Sequence, residues 1–257
     1  MVTLITPRIR RITIPYKDIY TSVFILDTKE GTILFDTAFS DYDVDTFILP
    51  ELARRNLRYI FISHNHRDHA WGLDRLMEVY PDATIVTQND ALAEKFAKFS
   101  VLRPKEGDML LDTFRVVDIP GHTADSQGLF DVTTNTLFTG DALQLYGIFG
   151  GSPWGACIRC IPEHLEALKK LRELPVIDLL MAHDYHPYGN EVYGTEEIHK
   201  CLDICAEALL KVKEVVSAHL ELSDQEIADL YNKDSGLPAI PSFVVEAVRT
   251  AVAQGAF

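Results

Sequence analysis

The chain has 257 residues, of which 47% are hydrophobic and 24% charged, and its formal net charge is −14 at pH 7. A chain of this length and composition buries a sizeable core, which excludes a mainly disordered protein. The negative charge argues against a long nucleic acid as the partner, because phosphate binding requires a basic face. A small substrate remains compatible with this composition, even an anionic one held by metal.

The sequence shows no membrane or export signal. It lacks an apolar run of about 20 residues, the length that a membrane helix needs, so we expect no membrane partner. Residues 1–7 lack a basic region followed by an apolar block, so no secretory signal is predicted. Four cysteines are too few for a disulfide framework in a chain of this size and fit a reducing compartment. We therefore expect a cytoplasmic protein.

The first elements of the chain are predicted to be strands. Residues 8–15 alternate between apolar and polar side chains, and residues 21–27 and 32–36 form stronger strands that a turn joins into a hairpin. Asp36 ends the second strand of this hairpin. It has two interpretations: an acid exposed to solvent at a strand end, or a carboxylate that orients a histidine or the metal loop.

A histidine-rich stretch, residues 63–69, follows a predicted buried strand and precedes a predicted helix. Residues 42–55 are predicted to be helical with an interruption at Pro50, and residues 59–62 form an apolar run typical of a strand buried on both faces. Residues 71–80 then carry apolar side chains at helical spacing. The stretch therefore lies on a strand-to-helix loop, where functional sites commonly lie.

Three histidines and an aspartate stand within this loop, which predicts half of a two-metal site. An apolar core would reject them in the absence of a cation. In an extended chain His64 and His66 project from the same side, so both can reach one ion. Asp68 and His69 enter the next turn and fit a second ion better. The alternative is a polar loop that is rich in histidine by chance.

Beyond this loop the chain is predicted to alternate strands and helices and then to end in helices. The predicted strands are 84–87, 114–119, 128–132, 136–139 and 176–181, and the predicted helices are 91–99, 162–174, 196–218 and 241–254. Ser223 and Glu226 have the spacing of a capping box. Cys157 and Cys160 have CxxC spacing, but a single such pair is a weak signal, and we interpret both as ordinary core or loop thiols.

Three more candidate ligands follow predicted strands. His122 comes after Gly121, which lets the backbone turn sharply so that the imidazole faces the sheet. Asp141 follows the strand end at residue 139 in the same manner. His183 follows the strand predicted to be the last one, so five of the nine histidines fall at predicted strand ends. Each signal is weak alone, and their repetition indicates a site.

These residues resemble the metallo-β-lactamase fold superfamily of hydrolases, over about residues 8–190. The family signature His-x-His-x-Asp-His and the three downstream ligands stand, in order, at His64, His66, Asp68, His69, His122, Asp141 and His183. The resemblance implies an α/β fold, a four-layer αββα sandwich of two mixed β-sheets flanked by helices. The catalytic domain would span residues 1–190, and residues 191–257 would form a C-terminal helical extension packed on the same domain.

The resemblance also implies how two divalent metal ions are held and what they do. One ion would be bound by His64, His66 and His122, the other by Asp68, His69 and His183, with Asp141 as the bridge. Donors of this kind suit zinc, our first expectation, and also iron, manganese or cobalt. A water between the ions would lose its proton near neutral pH, and the bridging hydroxide would attack the substrate. Asp68 or Asp141 would accept and pass the proton as the catalytic carboxylates.

The ligand pattern also discriminates among members of the superfamily. True β-lactamases of this fold do not use the bridging aspartate, and flavodiiron proteins carry Glu where His66 stands. The complete pattern is similar to glyoxalase II enzymes, N-acyl homoserine lactonases and several phosphodiesterases. Asp184, next to His183, favours the lactonases. The departure from the family is Trp71, where a glycine is common, and it affects the substrate pocket more than the metal site.

We therefore predict a dinuclear metal-dependent hydrolase that cleaves a small ester-type substrate, a lactone or a thioester. The candidates that would line the pocket or orient a ligand are Asp36, Trp71, Tyr146, Phe149, Trp154 and His186, several of them in the glycine-rich aromatic loop 143–155. Glyoxalase II enzymes generally bind glutathione through basic residues. Such residues are few in residues 140–190, so a glutathione thioester is a less favoured substrate, though it is not removed.

Three alternatives and one further expectation accompany this prediction. A phosphodiesterase of the same fold is the first alternative, and a mononuclear iron persulfide dioxygenase, whose family uses only two His and one Asp, is the second. The third, a non-catalytic scaffold, would be expected to have lost ligands. We also expect that a homodimer is an option, because the apolar stripe of the C-terminal helices must be buried somewhere.

Overall fold

The computed structural model of the protein describes residues 1–150 and 153–257. It has two mixed β-sheets with flanking helices and a C-terminal helical part, which confirms the predicted fold class. Contacts within the chain define two compact units. Unit 1 comprises Met1–Asp118 and Gln127–Thr133, and unit 2 comprises Ile119–Ser126 and Thr134–Phe257.

Unit 1 is built on a seven-stranded sheet whose spatial order follows the sequence. Its strands are β1 (Val2–Thr6), β2 (Ile9–Tyr16), β3 (Ile19–Asp27), β4 (Thr32–Phe35), β5 (Leu57–Phe61), β6 (Thr84–Val86) and β7 (Val101–Leu102). The first four pair in antiparallel fashion, and β4 to β7 pair in parallel. Strands β3 and β4 are almost wholly buried because both of their faces are covered.

Short helices connect these strands and cover the sheet. They are α1 (Asp41–Asp43), a π-helical segment Val44–Ile48, α2 (Leu49–Leu52), α3 (Arg67–Ala70), α4 (Leu73–Val79) and α5 (Asp90–Lys95). Helix α4 buries Leu73, Leu76 and Met77 in the same apolar core as Ile60 of β5. Pro50 lies in the first turn of α2, where its missing N–H costs no hydrogen bond.

The histidine-rich stretch lies between β5 and α4, as predicted. Strand β5 ends at Phe61, and α3 contains Asp68 and His69, so these two residues sit on a helical turn. Three further strands belong to unit 1 and form an antiparallel set: β8 (Met109–Leu110), β9 (Phe114–Asp118) and β10 (Gln127–Asp131). The main chain of Gln127 donates to the carbonyl of Ser63, so β10 begins beside the histidine-rich stretch.

Unit 2 contains four strands, and β13 pairs with the other three. They are β11 (Thr136–Phe138), β12 (Gly147–Ile148), β13 (Asp178–His186) and β14 (Gly189–Tyr193). Strand β13 is parallel to β11 and antiparallel to both β12 and β14. Asp141 lies in the segment between β11 and β12, and β12 pairs with the end of β13.

The prediction that the last strand ends at residue 181 was wrong. Strand β13 continues to His186, so His183 and His186 lie within a strand and do not follow one. The polar sequence after residue 181 resembles a loop, but pairing partners hold it extended: Tyr185 lies opposite both Ile148 and Gly189. Tertiary pairing here overrides the local composition.

Four helices complete unit 2: α6 (Ile161–Glu173), α7 (Thr195–Ala218), α8 (Asp224–Asp234) and α9 (Ser242–Ala253). Helices α7, α8 and α9 share an apolar core with Ile161 of α6. The capping box predicted for α8 is confirmed, since Ser223 Oγ accepts from the N–H of Glu226, whose carboxylate accepts from the N–H of Ser223. Within the described residues, none of the helices has the length and apolar character needed to cross a bilayer.

Candidate metal centre

Unit 1 brings together four donor side chains on the loop after β5. The ring centroids of His64 and His66 are 4.5 Å apart, and those of His64 and His69 are 4.2 Å apart. The Oδ2 atom of Asp68 lies 3.2 Å from Nε2 of His69. Both His64 and His69 are almost completely buried. Such crowding of imidazoles and a carboxylate in a buried place is what a divalent cation stabilises.

Asp36 lies buried beneath these donors, so its interpretation as a solvent-exposed strand-end acid was wrong. Its Oδ2 is 2.7 Å from Nδ1 of His69 and accepts from Ser63 Oγ, and its Oδ1 accepts from the N–H of Ser63 at 2.8 Å. Burial raises the pKa of Asp36, whereas the interactions with His69 and Ser63 oppose that change. An ionised Asp36 only accepts, which assigns the proton of His69 to Nδ1, so that Nε2 would be the atom that meets a metal ion.

Two polar residues that sequence reasoning missed orient the other donors of unit 1. Ser63 Oγ lies 3.0 Å from Nδ1 of His64, which leaves Nε2 of that ring for a ligand. Thr21 Oγ1 donates to Asp68 Oδ2 at 2.9 Å. Thr21 is fully buried in β3, a strand otherwise rich in apolar residues. A polar residue at a buried strand position is the signal that could have identified it.

Unit 2 brings together the remaining three predicted ligands. The two oxygens of Asp141 face different histidines, with Oδ1 3.2 Å from Nε2 of His183 and Oδ2 3.6 Å from Nε2 of His122. All three side chains are buried. A carboxylate whose oxygens diverge toward two imidazoles has the geometry that a bridging ligand requires.

Backbone groups of unit 2 fix the orientation of His122. Its Nδ1 lies 2.6 Å from the carbonyl oxygen of Cys157, and because a carbonyl only accepts, Nδ1 carries the proton and Nε2 the lone pair. The buried amide of Gln144 donates to the carbonyl of Asp141 at 2.8 Å and lies 3.4 Å from the hydroxyl of Tyr185. Neither Cys157, through its carbonyl, nor Gln144 was identified from the sequence, since backbone acceptors leave no sequence signal.

The donor chemistry fits divalent metal ions. Within the described residues, the groups of side chains that could hold an ion consist only of His and Asp, without a thiolate. Nitrogen and oxygen donors of this type bind zinc, iron, manganese or cobalt. The four cysteines are free thiols, and burial raises the pKa of Cys157 to about 12. Cys157 and Cys160 therefore behave as the ordinary thiols that the sequence predicted.

The predicted pocket residues are distributed between the units. In unit 1, Trp71 is exposed and the guanidinium of Arg67 lies 4.4 Å from its ring centroid. In unit 2, the ring of His186 lies 5.1 Å from that of Phe149 and 6.0 Å from that of Tyr146. Trp154 is also exposed. Two residues of the predicted loop 143–155, Gly151 and Ser152, lie outside the described residues.

Comparison with known proteins identifies relatives by sequence. The family model described as Metallo-beta-lactamase superfamily matches residues 16–198. Hydroxyacylglutathione hydrolase 1 of Vibrio vulnificus is 32% identical over 230 residues, which is 82% of this chain and 85% of that protein. A hydroxyacylglutathione hydrolase of Francisella tularensis is 30% identical over 170 residues, 63% of this chain. The chain spans only 62% of the length of that second relative.

Solved structures share the fold at low identity. A metallo-beta-lactamase family protein from Thermus thermophilus has a TM-score of 0.67 and 17% identity, covering 97% of this chain and 95% of that chain. Rubredoxin oxygen:oxidoreductase from Desulfovibrio gigas has a TM-score of 0.65 and 16% identity, covering 97% of this chain and 75% of that chain. At such identities the likeness extends to the fold alone.

Proposed function

Because the chain belongs to the metallo-β-lactamase superfamily, we propose that it is a dinuclear metal-dependent hydrolase of a small ester-type substrate, a lactone or a thioester. The observation that supports this most strongly is the retention of every His and Asp of the family's seven-ligand pattern. In each unit these side chains lie within a few ångströms of one another. Hydrogen-bond partners orient His64, Asp68, His69 and His122. A relative that had lost its chemistry would not be expected to keep both the ligands and their partners.

Two ions are proposed to share the seven ligands. One ion would be held by His64, His66 and His122, the other by Asp68, His69 and His183, and Asp141 would contribute to both. When bound, two such ions lower the pKa of a water and polarise the carbonyl of the substrate. The residues of the chain have the remaining tasks. Asp68, held by Thr21, and Asp141 are the carboxylates that accept a proton at an oxygen atom during hydrolysis.

The ester-type substrate is supported by the relatives and by the composition of the pocket candidates. Two of the relatives are named hydroxyacylglutathione hydrolases, and an acyl group carried on the sulfur of glutathione is a thioester. Phe149 and Trp154 are large exposed aromatic residues of unit 2, and the Phe149 ring lies 5.1 Å from that of His186. Aromatic side chains of this kind suit a neutral acyl group better than a polyphosphate. Two basic side chains of unit 2 already have contacts, since Arg172 pairs with Asp203 and Arg159 stacks on Phe243.

Metal analysis and a substrate panel test the proposal. Protein purified without chelator is expected to contain close to two equivalents of a transition metal. The panel comprises acyl homoserine lactones, S-lactoylglutathione, p-nitrophenyl esters, bis-p-nitrophenyl phosphate and a cephalosporin, each assayed with zinc, manganese and iron. A phosphodiester preferred by more than about a hundredfold in kcat/KM, or about 2.7 kcal/mol, contradicts the ester proposal. One equivalent of iron with sulfite formed from glutathione persulfide indicates the dioxygenase.

The variant His66→Ala tests the site assignment. Loss of one ring nitrogen from the first ion is expected to abolish turnover while the fold is retained, because His66 is only half-buried. Circular dichroism and gel filtration report the fold, and the preferred substrate of the panel reports turnover. Full activity of this variant on every substrate tried would show that the assignment is wrong.

A further inference from the structure

His164 of α6 lies against the main chain beside the proposed ligand His122. Its side chain is completely buried. A Cβ atom at Gly121 would lie 2.4 Å from His164 Nδ1 and 2.8 Å from its Cβ and Cγ atoms. Gly121 has φ +155°, a conformation that side chains disfavour. The imidazole and the backbone of Gly121 are thus in contact with no room for a side chain between them.

The segment 157–164 holds the same dipeptide by hydrogen bonds. The N–H groups of Arg159 and Cys160 both donate to the carbonyl of Gly121, at 2.8 and 2.9 Å. The Nδ1 atom of His122 is bonded to the carbonyl of Cys157, seven residues before His164. The N–H of His164 donates to the carbonyl of Cys160 at 3.0 Å and so begins α6. One segment therefore contacts Gly121 and His122 from several directions.

A buried imidazole at position 164 destabilises the fold unless its contact with Gly121 has a function. Neither ring nitrogen has a hydrogen bond of normal geometry. A buried polar group without a hydrogen bond is destabilising, and an aliphatic residue would avoid this loss. The ring atoms nearest Gly121, Nδ1 and Cγ, fill the space that a side chain at residue 121 would need.

We infer that His164 is a positioning residue for metal binding: its ring packs on Gly121 and holds the backbone that aims His122 toward Asp141. This role rests on the proposed assignment of His122 as a ligand. The distance it maintains is the 3.6 Å between Nε2 of His122 and Oδ2 of Asp141. A shift of the Gly121 backbone would move His122 as a unit, because the hydrogen bond to Cys157 fixes only the rotation of its ring.

Zinc affinity of the purified full-length chain tests this role. The variant His164→Ala leaves a gap beside Gly121 and is expected to weaken one of the two bound zinc ions by about 10–100-fold, as losses of orienting residues do. The variant His164→Phe keeps a flat ring at the contact and is expected to retain most of the zinc affinity. Competition with a chromophoric chelator measures both, and neither measurement requires activity.

A matched control and a reciprocal variant separate positioning from simple packing. Leu168→Ala removes a larger buried side chain one turn further along α6 and is expected to lower the unfolding temperature of the metal-free protein without weakening zinc. Gly121→Ala introduces the clash from the other side. The closest approach in that clash is to the ring nitrogen, and only the 2.8 Å approach to the Cβ atom of residue 164 remains in the double variant Gly121→Ala/His164→Ala. The double variant is therefore expected to lose less zinc affinity than the two single losses combined.

Wild-type zinc affinity in His164→Ala, together with a lowered unfolding temperature like that of Leu168→Ala, would overturn the role and make His164 a core residue only. Strict additivity in the Gly121–His164 cycle would overturn it as well. A wild-type chain that binds no zinc, manganese or iron would instead overturn the proposed metal centre, and the positioning role with it. These results are distinguishable because the wild-type measurement is made first.

Discussion

Each of three proposed ligand rings has its Nδ1 atom held by a nearby acceptor, and in each case Nε2 is the proposed ligand atom. The partners are a carboxylate for His69, a hydroxyl for His64 and a main-chain carbonyl for His122. The use of three different chemical groups for one purpose indicates that the orientation of the rings, not the identity of the partner, is what matters. Asp36 combines two of these contacts, because it also binds Ser63.

Asp36→Asn is expected to lower metal affinity by about 10–100-fold, since an amide cannot accept from both Ser63 and His69 through the same atoms. Chelator competition is the measurement. The matched control is Asp27→Asn, a partly buried carboxylate that pairs with Arg10 at 2.9 Å and Arg55 at 3.2 Å. This control is expected to lower stability and leave metal affinity unchanged. Equal metal affinity in the two variants would remove Asp36 from the centre.

The four thiols are expected to differ in reactivity according to burial. Burial raises the pKa of Cys157, Cys201 and Cys205 to about 12, so their thiolate fraction is negligible in mildly alkaline buffer. Cys160 is partly exposed, and burial raises its pKa as well. Because the thiolate is the nucleophile, we expect a disulfide reagent to modify Cys160 first in the native protein and the others only after denaturation.

Cys160→Ser provides the control for that assignment. The variant is expected to lose the first phase of the reaction and to keep the three slow thiols, which mass spectrometry of the modified protein identifies. A fast thiol that persists in Cys160→Ser would mean that one of the other cysteines is more accessible than its burial indicates.

The sequence predicts the proposed ligands and gives no sign of the partners that the structure places beside them. A local pattern of residue types and spacing predicts a metal site at His64, His66, Asp68 and His69. The contact of Asp36 with His69 joins residues 33 positions apart, and that of Cys157 with His122 joins residues 35 positions apart. Cys157 was correctly predicted to be an ordinary thiol, yet its carbonyl holds a proposed ligand. Backbone groups are the same at every position, so no sequence pattern reveals such a role.

Among elements, long apolar strands were predictable and short or polar ones were not. Strands β3 and β4 were predicted to within a few residues because burial demands apolar side chains on both faces. Strands β7, β8 and β12 have two residues each and carry no period for a sequence pattern to show. The second half of β13 was missed because its pairing with β12 and β14, not its composition, makes it a strand.

The segment after Asp141 is anchored to α7 by one tyrosine. The hydroxyl of Tyr146 donates to Glu207 at 2.6 Å, and Lys211 pairs with Glu207 at 3.2 Å. Lys211 also lies 4.6 Å from the Tyr146 ring centroid. Burial and the hydrogen bond to Glu207 raise the pKa of Tyr146, so its hydroxyl stays protonated and continues to donate at neutral pH.

Tyr146→Phe is expected to raise KM for an ester substrate while changing kcat little, because the anchor positions a proposed pocket loop and touches no proposed ligand. One partly exposed hydrogen bond contributes about 1 kcal/mol or less, so the unfolding temperature should change only slightly. Tyr188→Phe is the matched control, since Tyr188 makes the same kind of bond, at 3.0 Å, to Glu197 of the same helix. A change in KM of equal size in both variants would contradict the proposed role of the loop.

At the scale of the whole molecule, helices α7 to α9 form one apolar core with α6 in unit 2. Contacts join α7 to β13 and β14 as well as to α6. We therefore propose that residues 191–257 are a C-terminal extension packed on the catalytic domain, as the sequence predicts. Arg249 strengthens the end of this region by binding Asp224 at 2.8 Å and the carbonyls of Leu220 and Leu222.

The proposed dinuclear centre has a consequence for the stability of the whole chain. Its proposed ligands belong to both units, so metal binding should stabilise each unit that contributes them. The chain has two tryptophans, Trp71 in unit 1 and Trp154 in unit 2. Trp71→Phe and Trp154→Phe therefore give two proteins whose fluorescence reports one unit each.

We expect a chelator to lower the unfolding midpoint that each of these single-tryptophan proteins reports, and added zinc to restore both. A metal present at about 100 times its Kd stabilises the folded state by about 2.7 kcal/mol, which a thermal scan detects readily. Calcium serves as the control ion, because it prefers ligand shells made only of oxygen and should restore neither midpoint. A midpoint that falls in only one of the two proteins would mean that the ions are held by the donors of that unit alone.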